Sequence, residues 1–222
     1  MEQLSCSASK NDHPKWGFTD LVRWKTLPST LGGGRAYIQR FKDAWVKQNK
    51  NAIRAAATRE GFPPELLAGV CWIEVGGDPN SIDRIAFEVR TFDWSGPPLV
   101  DKQTVTSLPT KTSFGSVSMQ LRTAAHTMGI DPAKMSSAQL RQLANCLQQD
   151  VFNINTVARH LRQLIDHDKL QQTRPLLGME QVRIVGARYN RGISLSLDQI
   201  KKNMSYGNFI VNFWPRFSRL LN

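Results

Sequence analysis

Glu74 closes an otherwise apolar run, LLAGVCWIE, and is followed by Val75, Gly76 and Gly77. At 3.6 residues per turn it lies i+3 from Cys71, i+4 from Val70 and i+7 from Leu67, so it shares their face. The two glycines end the helix just past it, which leaves a carboxyl at a helix mouth facing a loop. Apolar surroundings disfavour the ionised carboxylate, raise its pKa and keep a proton available near neutral pH. A general acid needs such a proton to deliver to a leaving oxygen. The competing role for Glu74 is structural, as a cap or a partner of an arginine such as Arg84 or Arg90.

The elements that position this acid read mainly as helices. Tyr37, Ile38, Phe41 and Trp45, then Ala52, Ile53 and Ala56, recur at helical spacing, and Gly61 supplies a stop. In FPPELLAGVCWIE, Pro64 suits a first helical turn and Glu65 suits the positive end of the helix dipole. Residues 77 to 115 differ. They are rich in proline and glycine, and IAFEVRTFDW alternates as a short strand or extended loop would. Helical patterning returns after Ser118. Ser137 is expected to cap Leu140, Leu143 and Leu147, and Val151, Ile154, Val157, Leu161 and Leu164 form a longer amphipathic stripe. MEQVRIVGARYNRG reads as a helix closed by Gly192, and NFIVNFWPRFSRLL as a final one bent at Pro215. Residues 1–33 form an expected N-terminal extension that docks through Trp16, Phe18 and Trp24, leaving 34–222 as one domain.

At 222 residues, 41% hydrophobic and 21% charged, the chain has ample length for a core. Its net charge of +11 points to an anionic partner: nucleic acid, an acidic membrane surface or an acidic polymer such as a bacterial wall. The charge is dispersed, with no arginine-rich arm and no nucleic-acid module. No apolar run is long enough to span a bilayer, and the N-terminus lacks a cationic start and an apolar core, so no signal peptide is expected. Cys71 and Cys146 fall in apolar helical patterns and are expected to pack as small hydrophobes, with a Cys71–Cys146 disulfide as the alternative. The four histidines, His13, His126, His160 and His167, show no zinc-like spacing with Cys or Asp, and LGGGR lacks the ending of a P-loop. No metal and no cofactor are expected.

Four segments, in order, carry a resemblance. IEVGGDP (73–79) is similar to the ESxxNP segment of lytic transglycosylases and goose-type lysozymes, and SFGSVSMQLRTAA (113–125) resembles their GLMQ segment. NINTVARHL (153–161) resembles their NIxxGxxYL helix, and ARYNRG (187–192) their AAYNAG. Together they cover roughly residues 63 to 192. The resemblance implies a lysozyme-like (α+β) fold, with a helical domain and a small irregular or β insert flanking a glycan groove. It implies a muramidase that cuts peptidoglycan between N-acetylmuramic acid and N-acetylglucosamine. Glu74 falls on the catalytic acid, Gln120 on the groove-lining glutamine, Met119 beside it, and Tyr189 and Asn190 on the tyrosine and its polar neighbour.

The departures are Val75 for the serine after the acid, Val117 for the glycine of GLMQ with Gly115 two places earlier, and Val157 and His160 in the third segment. Glycosidases ordinarily use a second carboxylate. IAFEVRTFDW is loosely similar to the FExHxF segment of some phage muramidases, which makes Glu88 the first candidate and Asp93 the second. Transglycosylases need none, because the sugar's own hydroxyl attacks. The partners implied are peptidoglycan glycan strands, with no nucleic acid and no integral membrane association. Without a signal peptide, two routes to the wall remain. One is a type VI secretion effector acting in a rival's periplasm and met there by an immunity protein; the other is a phage endolysin. A non-catalytic peptidoglycan-binding module is the alternative function, and a basic nucleic-acid binder a more distant one.

Overall fold

The computed structural model describes Cys6 and residues 16–76, 111–170 and 177–222. In chain order the described helices are α1 (Phe18–Thr26), α2 (Gly34–Gln48), α3 (Lys50–Glu60), α4 (Pro64–Glu74), α5 (Leu121–Thr127) and α6 (Ser137–Leu147). They continue with α7 (Asp150–His167), α8 (Met179–Arg191), α9 (Leu197–Lys201), α10 (Ser205–Asn212) and α11 (Trp214–Leu221). Among the described residues the only sheet is an antiparallel pair, β1 (Ser113–Phe114) with β2 (Met119–Gln120). The chain is mainly α, as its periodicity predicts. No described helix is long and apolar enough to cross a membrane.

Chain contacts divide the molecule into two compact units, residues 1–41 with 74–153 and residues 42–73 with 154–222. In the first unit, part of the segment expected as an N-terminal extension is helical, as α1. Trp16 packs edge-on against Phe41 at 4.8 Å between ring centroids and also meets Trp24 and Tyr37. Phe18 takes no part in this docking: 64% of it is exposed. Tyr37 donates to the Asp20 carboxylate, which raises the pKa of its phenol.

The hairpin of the first unit explains the displaced glycine of SFGSVSMQ. Gly115 turns the chain with φ +84°, and a Cβ there would lie 2.1 Å from the Leu147 carbonyl, so no larger residue fits. Val117 is buried, and its N–H donates to Asn153 Oδ1 at 2.8 Å. Ser116 donates to Asp150 at 2.6 Å. The first turn of α7 thereby pins the loop that leads into Met119 and Gln120.

Three details differ from expectation. Ser136, not Ser137, caps α6: its hydroxyl accepts from the Gln139 N–H while the Gln139 amide accepts from the Ser136 N–H. Pro215 does not bend a continuous helix. The chain breaks at Phe213, and Pro215 falls in the first turn of α11, where its missing N–H has no helical partner to lose. Cys146 packs neither as a free hydrophobe nor with Cys71; it is joined to Cys6 across 140 residues, and Cys71 stays buried and reduced. Helical periodicity cannot show a polar N-terminal segment returning to α6. Closing so long a loop restricts the unfolded chain, which typically stabilises by about 2–4 kcal/mol. Cys6→Ser, or added reductant, should lower Tm by roughly 4–16 °C. A thermal scan unchanged by reductant would contradict the link.

The second unit is built on α4, buried from Leu66 to Trp72. Gly69 allows Ile210 of α10 and Phe217 of α11 to seat directly on it. Gly186 of α8 meets the backbone of Gly207 on α10 with the same closeness. Arg188 fastens the far end of α8. Only 1% of its side chain is exposed, and it donates to both carboxylate oxygens of Asp168 (2.9 and 2.7 Å) and to the carbonyls of Gly192 and Leu195. Burial alone would raise the Asp168 carboxyl. Hydrogen bonds and charge from Arg188 and His167 outweigh it and hold the acid below the usual carboxylate range. Within ARYNRG, Arg188 is therefore structural.

Candidate functional site

Trp72 and Ile73, in the last turn of α4, line a cleft of about 400 Å³ in the second unit, together with Lys42, Asn190, Ser205, Tyr206 and Phe209. Lys42 lies on the apolar stripe of α2, i+4 from Ile38 and i−3 from Trp45, and its residue is 9% exposed. A lysine is tolerated there because its ammonium donates to the carbonyls of Trp72 (2.9 Å) and Ile73 (2.6 Å). Those carbonyls have no partner within α4, and a cation complements the negative end of a helix dipole. Asp43, the next residue, accepts from Trp72 Nε1 at 2.8 Å and from both forks of Arg216. The Trp72 indole is thereby fixed in plane, with the Arg216 guanidinium 5.1 Å and the Lys42 ammonium 5.2 Å from its ring centroid.

The residues expected to do chemistry occupy both units. Glu74 is half-buried and is the last residue of α4, next in the chain to Ile73. Leu67, Val70 and Cys71, the residues whose face it shares, are each fully buried. Met119 is 2% exposed and packs in the hairpin. Gln120 is half-buried at the start of α5, where its side chain leaves the helix uncapped and accepts from Arg122 Nε at 2.7 Å. Tyr189 is half-buried on α8, with the His160 and Tyr206 rings 5.9 and 6.0 Å away between centroids. Asn190, exposed, joins the cleft lining. Glu88 and Asp93 lie outside the described residues. Among the described residues no group of three or more His, Cys, Asp and Glu is placed to hold a metal.

Lys42, Trp72, Ser205, Tyr206 and Phe209 are not among the site residues expected from the sequence. Two signals were available: a lysine on the apolar stripe of α2, and aromatic residues at i, i+3 and i+7 in Tyr206, Phe209 and Phe213.

His160 is neutral at pH 7. Burial lowers its imidazole pKa to about 4, and a hydrogen bond with Gln163 only partly offsets this. The unfolded chain takes up a proton near pH 6.5 and the folded chain only near 4, so stability is complete above pH 6.5 and declines between those values. The loss should amount to roughly 2–3 kcal/mol. Urea unfolding of wild type and His160→Gln at pH 7 and pH 4.5 checks this; an equal acid loss in both proteins would contradict it.

Comparison with known family models, with curated proteins and with solved structures found no match for the chain.

Proposed function

We propose that the protein is a muramidase of the lysozyme-like kind, cutting peptidoglycan glycan strands between N-acetylmuramic acid and N-acetylglucosamine with Glu74 as the general acid. The observation that carries this reading is the setting of Glu74, a half-buried carboxyl ending a helix whose preceding residues Leu66 to Trp72 are all buried. Four sequence segments in the family's order support it, and so does a chain net charge of +11, suited to an anionic wall. The Cys6–Cys146 disulfide fits work in an oxidising compartment, as the periplasm is.

In this reading Glu74 protonates the glycosidic oxygen as it leaves with N-acetylglucosamine, positive charge develops at C1 of the N-acetylmuramic acid left behind, and water or that sugar's own 6-hydroxyl then bonds to this carbon. By the resemblance, a sugar contact falls to Gln120 in the first unit, with Met119 beside it, and others to Tyr189 and Asn190 in the second. An effector delivered into a rival's periplasm and blocked there by an immunity protein is the proposed biological setting. The test is solubilisation of purified sacculi by the folded, oxidised chain. Soluble glycan fragments are expected; sacculi left intact after prolonged digestion across pH 4–8 would overturn the reading.

A further inference from the structure

We infer that the cleft of the second unit is a binding site for a pyranose ring of an N-acetylated glycan, with Tyr206 and Phe209 as its stacking platform and Asn190 and Ser205 as its polar edge. Tyr206 and Phe209 stand three residues apart on α10 and so share one face. Both are half-buried, presenting part of each ring to the cleft. Each is held by neighbouring rings. Phe209 stacks on Phe213 at 4.3 Å and on Trp72 at 5.6 Å, and Tyr206 rests against Tyr189 at 6.0 Å. Rings held this way lose little freedom when a ligand arrives, which favours binding.

A pyranose offers a C–H face that packs on an aromatic ring and a rim of hydroxyls that need hydrogen bonds. The Asn190 amide both donates and accepts, the Ser205 hydroxyl does likewise, and both residues are exposed. Lys42, the charged side chain in the lining, already directs its ammonium to two α4 carbonyls. The cleft is therefore poorly suited to clamp a phosphate, and an uncharged ring with polar edges fits it better than a nucleotide. Its volume of about 400 Å³ falls within the range of small-ligand sites. The choice of an N-acetylated glycan rests on the muramidase reading; the existence of a ring-binding cleft does not.

The test is a calorimetric titration of the full-length Glu74→Gln chain with chitotetraose, repeated with Tyr206→Ala, Tyr206→Phe and Asn190→Ala added. Saturable binding is expected, weakened at least tenfold by Tyr206→Ala and about fivefold by Asn190→Ala, and restored by Tyr206→Phe. Asn190 is exposed, so its variant keeps the test valid should Tyr206→Ala fold poorly. No saturable binding, affinity unchanged from the parent Glu74→Gln chain in both the Tyr206→Ala and Asn190→Ala proteins, or tighter binding of adenosine monophosphate than of chitotetraose would overturn the inference. Tyr206-dependent binding by a chain that leaves sacculi intact would uphold the cleft and defeat the muramidase reading. Cleavage of sacculi with binding indifferent to both substitutions would do the reverse.

Discussion

Glu74→Gln should reduce the release of soluble glycan from sacculi by about 100-fold to 10,000-fold, the span attributable to one positioned proton donor. Glutamine keeps the length of the side chain and can still donate a hydrogen bond, but it has no proton to give up to a leaving oxygen. The substitution should leave the fold in place. The last turn of α4 is held by Lys42 on the Trp72 and Ile73 carbonyls, not by the carboxylate of Glu74 alone. Sacculus sedimentation should therefore recover the variant as well as the wild type, because binding to an anionic wall depends on dispersed positive charge and weakens with salt. Glu74→Asp should also be crippled, since withdrawing the carboxyl by one methylene breaks its alignment with the scissile oxygen. A Glu74→Gln protein working within twofold of wild type would remove Glu74 from the mechanism.

The second large effect is on stability. A Cβ at Gly207 would fall 1.9 Å from the Arg183 carbonyl oxygen and 2.6 Å from two further backbone atoms of Arg183. Alanine is ordinarily preferred to glycine inside a helix by about 1 kcal/mol. Here the obstacle is backbone, which cannot swing aside as a flexible side chain can, so α10 would have to lift from α8. Gly207→Ala should destabilise by about 2–4 kcal/mol, at the upper end for overpacking, with Tm falling by roughly 4–16 °C. Gly178→Ala is the control: a Cβ there would meet nothing closer than 3.7 Å. Equal melting temperatures for the two variants would show that α8 and α10 do not approach as described. Because Tyr206 is next to Gly207 and Asn190 lies in the last turn of α8, loss of this contact should also loosen the cleft.

The helices were largely legible in the sequence because their apolar residues repeat at the right period. Pro64, Gly61 and Gly192 mark their ends as expected. Legibility failed wherever the deciding partner is distant in the chain. Nothing near Cys146 announces Cys6, and nothing near Lys42 announces the carbonyls of residues 72 and 73 that satisfy its ammonium. ARYNRG was read for Tyr189 and Asn190, yet its most deeply buried polar group is Arg188, whose role appears only once Asp168 is placed beside it. Glu74 and Lys42 pose the same puzzle, a charge on an apolar stripe, and only the first was noticed. NFIVNFWPRFSRLL reads as one bent helix from Asn208, whereas α10 starts at Ser205 and stops before Phe213, and its Tyr206 and Phe209 line a cleft.

The most direct test of Glu74 as a glycosidic acid is mass spectrometry of the fragments released from sacculi by the wild-type chain. Muropeptides that terminate at C1 of N-acetylmuramic acid, as a reducing or an anhydro sugar, with their stem peptides whole, are the expected product. Fragments cut only within the peptides, or glycan fragments that terminate at C1 of N-acetylglucosamine, would contradict that role.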